Sequence, residues 1–173
     1  EGAEMHIITG CAVAHDARES AHLGISEFYV KKGGKLTFTM IHNWAENIGV
    51  RPRTVVHVEE GGTFISNYIC LKPVHSIQSF PTVRLEGEGA VTRLNTIAIA
   101  HPGSELDLGS MAVFNAPGTR AELISRTITT GGRVIARGEM IGNAVGAKGH
   151  LECRGLVLSN KGSQRAIPIL EAN

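Results

Sequence analysis

Long apolar runs are missing from this 173-residue chain. None approaches the roughly 20 residues of a membrane-spanning helix, so no membrane span is expected. Lysine and arginine never cluster, and 17 basic residues against 16 acidic ones leave a formal charge of +1. The electrostatic footprint of a nucleic-acid binder is therefore absent. Cysteine is scarce: Cys11, Cys70 and Cys153 lie far apart. An odd, scattered set is no disulfide framework and points to a reducing cytoplasm. There is no CxxC or HExxH spacing for a self-contained zinc site, and no GxxxxGK[ST] loop to cradle phosphate. No Asn-Gly or Asp-Gly dipeptide marks the hairpins of an immunoglobulin-like sandwich. Helical spacing of apolar residues never persists for three turns, and the one helix or loop candidate is "AHDARESAHLG", Ala14 to Gly24. No signal peptide opens the chain, and Glu1 reads as an internal start, so an upstream segment is expected.

What the sequence does have is glycine in a rhythm. "KKGG" ends at Gly34, "EEGG" at Gly62 and "EGEG" at Gly89, spacings of 28 and 27. Gly103, Gly118, Gly132, Gly149 and Gly162 follow at about half that interval. Between them sit runs rich in Val, Ile, Thr and Phe, such as "KLTFTMIHNW", "TFISNYICL", "RLNTIAIA" and "GHLECRGLVL". In "RLNTIAIA", Leu94, Thr96, Ala98 and Ala100 share one face. A repeat of about 28 residues halved by glycine turns predicts an all-β, two-sheet parallel β-helix, a flattened coil of about six turns. Glycine suits the corners because it takes positive φ freely, and small residues such as Ala98, Ala100 and Ala112 suit a thin interior. The acidic turns at "EEGG" and "EGEG" lack the Asp/Asn spacing of a calcium loop and read as solvated corners.

From "TRAELISRTITTGG" through "VIARGEMIGNAVGAKGHLECRGLVLSNKGSQRAIPILEA", the chain resembles the core of the SufB/SufD family, scaffold proteins of iron–sulfur cluster assembly. Upstream, "EGAEMHIITGCAV" is similar to the family segment ending in Gly-Cys, and "KLTFTMIHNW" to its strand ending in Gln-Asn-Trp. The resemblance spans residues 1–173 and implies a right-handed parallel β-helix as a single core domain. The family's amino-terminal and carboxy-terminal helical regions are not in this sequence. The resemblance implies that Cys11 accepts sulfur from a cysteine desulfurase system and that Cys153 helps hold the nascent cluster. Retaining both thiols favours the SufB branch. His42, Trp44 and Arg53 are carried over to an interior sulfur path, His42 standing for a glutamine and Arg53 for a lysine. Further implications are a SufC-type ATPase partner, a second SufB/SufD-type subunit as homo- or heterodimer, and a transient iron–sulfur cluster formed only in the full-length complex. A scaffold of this kind is not an enzyme.

Counting coils tests that chemistry. Cys11 and Cys153 are 142 residues apart, which is about five coils, or on the order of 24 Å at ~4.8 Å per strand. They cannot share one cluster, so sulfur must travel between them. His15 is near Cys11 in sequence and is a candidate helper for its thiolate. Glu152 should face away from Cys153 and be a poor co-ligand. Read without the resemblance, each cysteine is a small buried hydrophobe, as Cys70 is expected to be, and Trp44 is a packing anchor. The competing functions are a polysaccharide-active β-helix, disfavoured by an aromatic content of 5%, and a SufD-like structural partner that handles no sulfur.

Overall fold

Strand runs broken by glycine at near-constant intervals fold here into stacked coils. The computed structural model describes residues 2–12, 20–43 and 46–173. One sheet runs β1 (Glu4–Ala12), β3 (Lys35–Asn43), β5 (Thr63–Cys70), β8 (Val91–Ala100), β10 (Arg120–Thr129), β12 (Lys148–Val157). The facing sheet runs β2 (Ser20–Val30), β4 (Ile48–Val58), then β6 (Ser76–Ser79) with its continuation β7 (Thr82–Leu85), and finally β9 (Glu105–Phe114), β11 (Arg133–Gly142) and β13 (Ser163–Ala172). Every pairing is parallel. The result is the parallel β-helix of about six turns that the glycine rhythm predicts.

Register gives the coil length directly. Glu4 pairs with Lys35, Lys35 with Thr63, Thr63 with Val91, Val91 with Arg120 and Arg120 with Lys148, so successive coils take 31, 28, 28, 29 and 28 residues. Gly33, Gly61, Gly89, Gly118 and Gly146 occupy the same corner of successive coils, each at positive φ. There the N–H groups of Gly33, Gly61, Gly89 and Gly118 donate to Glu60, Glu88, Pro117 and Val145 carbonyls on the next coil. A corner residue elsewhere would leave that donor unpaired or strain its φ.

Ser20–Gly24, the second half of the stretch read above as a helix or loop, belongs to β2, while 14–19 lie outside the described residues. His22 and Gly24 alternate with exposed neighbours, and pairing of Ser20–Gly24 with Ile48–Pro52 gives them ladder bonds that no short isolated helix could match. In the third coil, Phe80 and Pro81 interrupt the strand between β6 and β7; proline has no N–H to give the ladder.

Inside the coils the apolar residues form two clusters rather than one. The first holds Val56, Val58, Phe64, Leu94, Phe114 and Leu123; the second holds Ile48, Val50, Cys70, Ile77, Leu106 and Val134. On the strands β5, β8 and β10, Tyr68, Thr96 and Ser125 share one inward row by register. Outside, ion pairs such as Lys31–Glu59 (2.7 Å), Arg93–Glu122 (2.8 Å) and Arg137–Asp107 (2.6 Å) tie neighbouring coils together. Asn115, Asn143 and Asn173 form an amide ladder at one corner, each link 2.8 Å.

Candidate functional site

Because coils stack in register, residues about 28 apart share one interior row. Cys11, His42 and Cys70 are consecutive members of one row, continued by Ala98, Thr127 and Gly155. Two residues earlier on each strand lies the second row: Met40, Tyr68, Thr96, Ser125 and Cys153. Both thiols named from the sequence therefore lie on the inward faces of one sheet, in its first and last strands, about 24 Å apart along the stack. Both are half-buried free thiols. Cys11 packs with Tyr68 against the second apolar cluster.

The rows meet at His42 and Tyr68. His42 is 3% exposed, and its Nδ1 lies 2.9 Å from the Tyr68 hydroxyl, with the two rings edge to face at 5.0 Å. Burial, reinforced by the nearby His22, pushes the His42 imidazole down to about 4, so it is neutral at physiological pH. Burial also raises the Tyr68 hydroxyl well above its usual value, the neighbouring Cys70 and Cys11 adding to the effect. His22 was missed from the sequence, as was Tyr68. The signal was available: counting 28 or 29 back from Cys153 gives Ser125, Thr96 and Tyr68.

Beyond Tyr68 the seam contains two cavities that share walls. The larger, of about 40 Å³, is bordered by Phe38, Met40, Tyr68, Thr96 and Ser110. The smaller, of about 10 Å³, is bordered by Thr96, Ser110, Ser125, Gly138, Leu151 and Cys153; Arg137, held outside by Asp107, completes its wall. Ser125 Oγ is buried and has no hydrogen-bond partner. Gly138 matters for space: a Cβ there would come within 2.5 Å of the Leu151 side chain. At the far end, burial raises the Cys153 thiol above its ordinary value, with the Glu152 carboxylate contributing. Glu152 itself faces outward, with Arg126 2.5 Å and Arg154 3.0 Å from it.

Cys70 is buried at 1% exposure, and burial pushes its thiol up to about 11. It is a protonated core residue at neutral pH, as expected. Arg53 does not join the interior: its guanidinium lies on the outer face, bound to the Pro52 carbonyl and to Gln78. Trp44 and His15 lie outside the described residues. Among the described residues, no group of three or more His, Cys, Asp or Glu is placed to hold a metal ion, and no helix is long and apolar enough to cross a membrane.

Comparison with known proteins now bears on this arrangement. The family described as "SUF system FeS cluster assembly, SufBD core domain" matches residues 1–173. An Iron-sulfur cluster assembly SufBD family protein of Archaeoglobus fulgidus is 55% identical over 172 residues, 99% of this chain and 46% of that protein. A homologue from Methanothermobacter thermautotrophicus (strain Winter) is 46% identical over 174 residues, 100% of this chain and 42% of its own. The Iron-sulfur cluster assembly protein SufB of Bacillus subtilis is 34% identical over 176 residues, 99% of this chain and 37% of its own. The chain spans less than half the length of these curated relatives, and it belongs to the SufBD family.

Proposed function

We propose that this member of the SufBD family is the sulfur-handling core of a cytoplasmic iron–sulfur assembly scaffold of the SufB type, and not an enzyme. Cys11 receives sulfur from a cysteine desulfurase system, and Cys153 anchors the growing cluster, which is cargo rather than a resident cofactor. The observation that carries this reading is the polar seam between two apolar clusters, with a half-buried thiol at each end. A core optimised for stability alone would fill those rows with Leu and Val. His42 and Tyr68 stand between Cys11 and the cavities, and Thr96, Ser110 and Ser125 line the rest. Arg53 faces outward and has no part in the seam.

A cluster needs about four protein ligands, and among the described residues no group of three or more His, Cys, Asp or Glu is placed to supply them. The remaining ligands come from a second SufB/SufD-type subunit or from further chain, and a SufC-type ATPase drives the movement that exposes the site. Anaerobic reconstitution with that ATPase tests this. Cys153→Ser should abolish the visible absorbance of the cluster, and Cys11→Ser should lower sulfur loading. Normal loading in both variants would refute the reading while leaving the fold intact.

A further inference from the structure

The chain has three cysteines, and all of them are placed. Cys11 and Cys70 are two strands apart in one row, so their Cα atoms lie about 10 Å from each other, beyond the ~7 Å that a disulfide tolerates. From Cys70 to Cys153 there are three more strand steps and a two-residue offset, about 16 Å in all. Handing sulfane sulfur from thiol to thiol requires the attacking sulfur to contact the persulfide, forming an S–S bond of about 2.05 Å. No chain of thiols bridges either gap. Between the ends the row offers the Met40 thioether and the hydroxyls of Tyr68, Thr96 and Ser125, with Ser110 opposite, and no thiol. Hydroxyls do not form persulfides. They hydrogen-bond.

The seam is also small and carries no carboxylate, ammonium or guanidinium group. Its cavities, of about 40 and 10 Å³, have room for only a few water-sized molecules. The alternating inward positions of the described strands carry no Asp, Glu, Lys or Arg, and the His42 imidazole beside Tyr68 is neutral. An ion would face a large desolvation penalty there.

We propose that the sulfur crossing the seam does so as hydrogen sulfide, freed from a Cys11 persulfide by a dithiol, rather than as sulfane sulfur passed between cysteines. This rests on the reading of Cys11 and Cys153 as donor and acceptor ends. The release takes two exchanges. One thiolate of the dithiol attacks the outer sulfur of the persulfide, breaking its bond to the Cys11 Sγ, and Cys11 returns to a thiol. The second thiolate then attacks the dithiol's own sulfur that now carries the outer one, closing a disulfide and expelling the outer sulfur as hydrogen sulfide. The persulfide and the two thiols supply three protons, of which Cys11 keeps one and hydrogen sulfide takes two. Two electrons pass from the dithiol to sulfur. The row of Thr96 and Ser125 hydroxyls donates to and accepts from the migrating molecule, and Ser125 Oγ, buried without a partner, is the last of them before Cys153.

The test places radiolabelled persulfide on Cys11 with a cysteine desulfurase and labelled cysteine, anaerobically, in protein supplied with ferrous iron. Excess unlabelled sulfide is added to the surrounding solution. Without dithiol, peptide mapping should find the label still on Cys11 and none on Cys153. With dithiothreitol, Cys11 should lose its label, and acid-labile sulfide held at Cys153 should be at least 10-fold richer in label than mixing with the bulk sulfide allows. A labelled Cys153 persulfide formed without dithiol would overturn the proposal and leave the seam as a conduit for sulfane sulfur. Label diluted fully by the bulk pool would instead overturn the seam as a passage, and this proposal with it.

Discussion

The two apolar clusters and the seam between them are cut from the same coils, yet they obey different rules. In the clusters, Val56, Val58, Val83 and Leu85 are fully shielded, and Phe28, Phe38 and Phe64 interlock with ring centroids 4.9 and 5.8 Å apart. In the seam, hydroxyls and a thiol replace hydrocarbon, and cavities remain where packing should be dense. Under the proposed function, the clusters carry stability and the seam carries sulfur. Substitutions on the two sides of that boundary should therefore fall in different classes.

The largest effect is expected in the first cluster. Phe64→Ala should destabilise by about 3–5 kcal/mol, read from chemical denaturation, through lost burial plus an unfilled cavity. A loss below about 1 kcal/mol would mean that the clusters do not carry the fold. Next comes acid. His42 is neutral when folded because its imidazole sits near 4 rather than 6.5. Between those values the unfolded chain binds a proton that the folded chain does not, so stability should fall as pH drops from about 6.5 toward 4. The loss is on the order of 3 kcal/mol. His42→Gln should flatten that part of the pH profile, and an unchanged slope would remove His42 from the buried row. Gly89→Ala is a smaller perturbation, about 1 kcal/mol, because a Cβ there meets no atom within 4 Å and only its φ of 67° is strained. Smallest of all, Ser125→Ala should leave thermal stability within about 1 kcal/mol of the parent, or raise it, since the lost hydroxyl has no partner. A marked loss would place that hydroxyl in the structural core after all.

Much of this boundary could be read in the sequence, and some could not. The corner glycines announced the coil length, and alternation in "RLNTIAIA" put Leu94, Ala98 and Ala100 inside, where they are buried. The remoteness of Cys11 from Cys153 followed from counting coils. Arg53 shows the limit: strand faces alternate, so a carry-over that is loose by one residue sends a side chain to the wrong side of the sheet. The helix or loop reading fails over Ser20–Gly24, the described part of that stretch, because edge strand β2 has polar, glycine-broken residues at its start, and only pairing with β4 makes it a strand. An interior path is expected from the resemblance, but Thr96 and Ser125 are not named in it because they look like ordinary strand residues. Only stacking turns isolated hydroxyls into a row.

The central claim, that sulfur moves through this row, is tested most directly by obstructing it. The rate at which labelled sulfur travels from Cys11 to Cys153 should be measured in Ser125→Leu and in Thr96→Leu, with melting curves recorded beside it. The seam predicts a fall of at least 10-fold in proteins that still melt cooperatively. Transfer at the parent rate in both folded variants would contradict it.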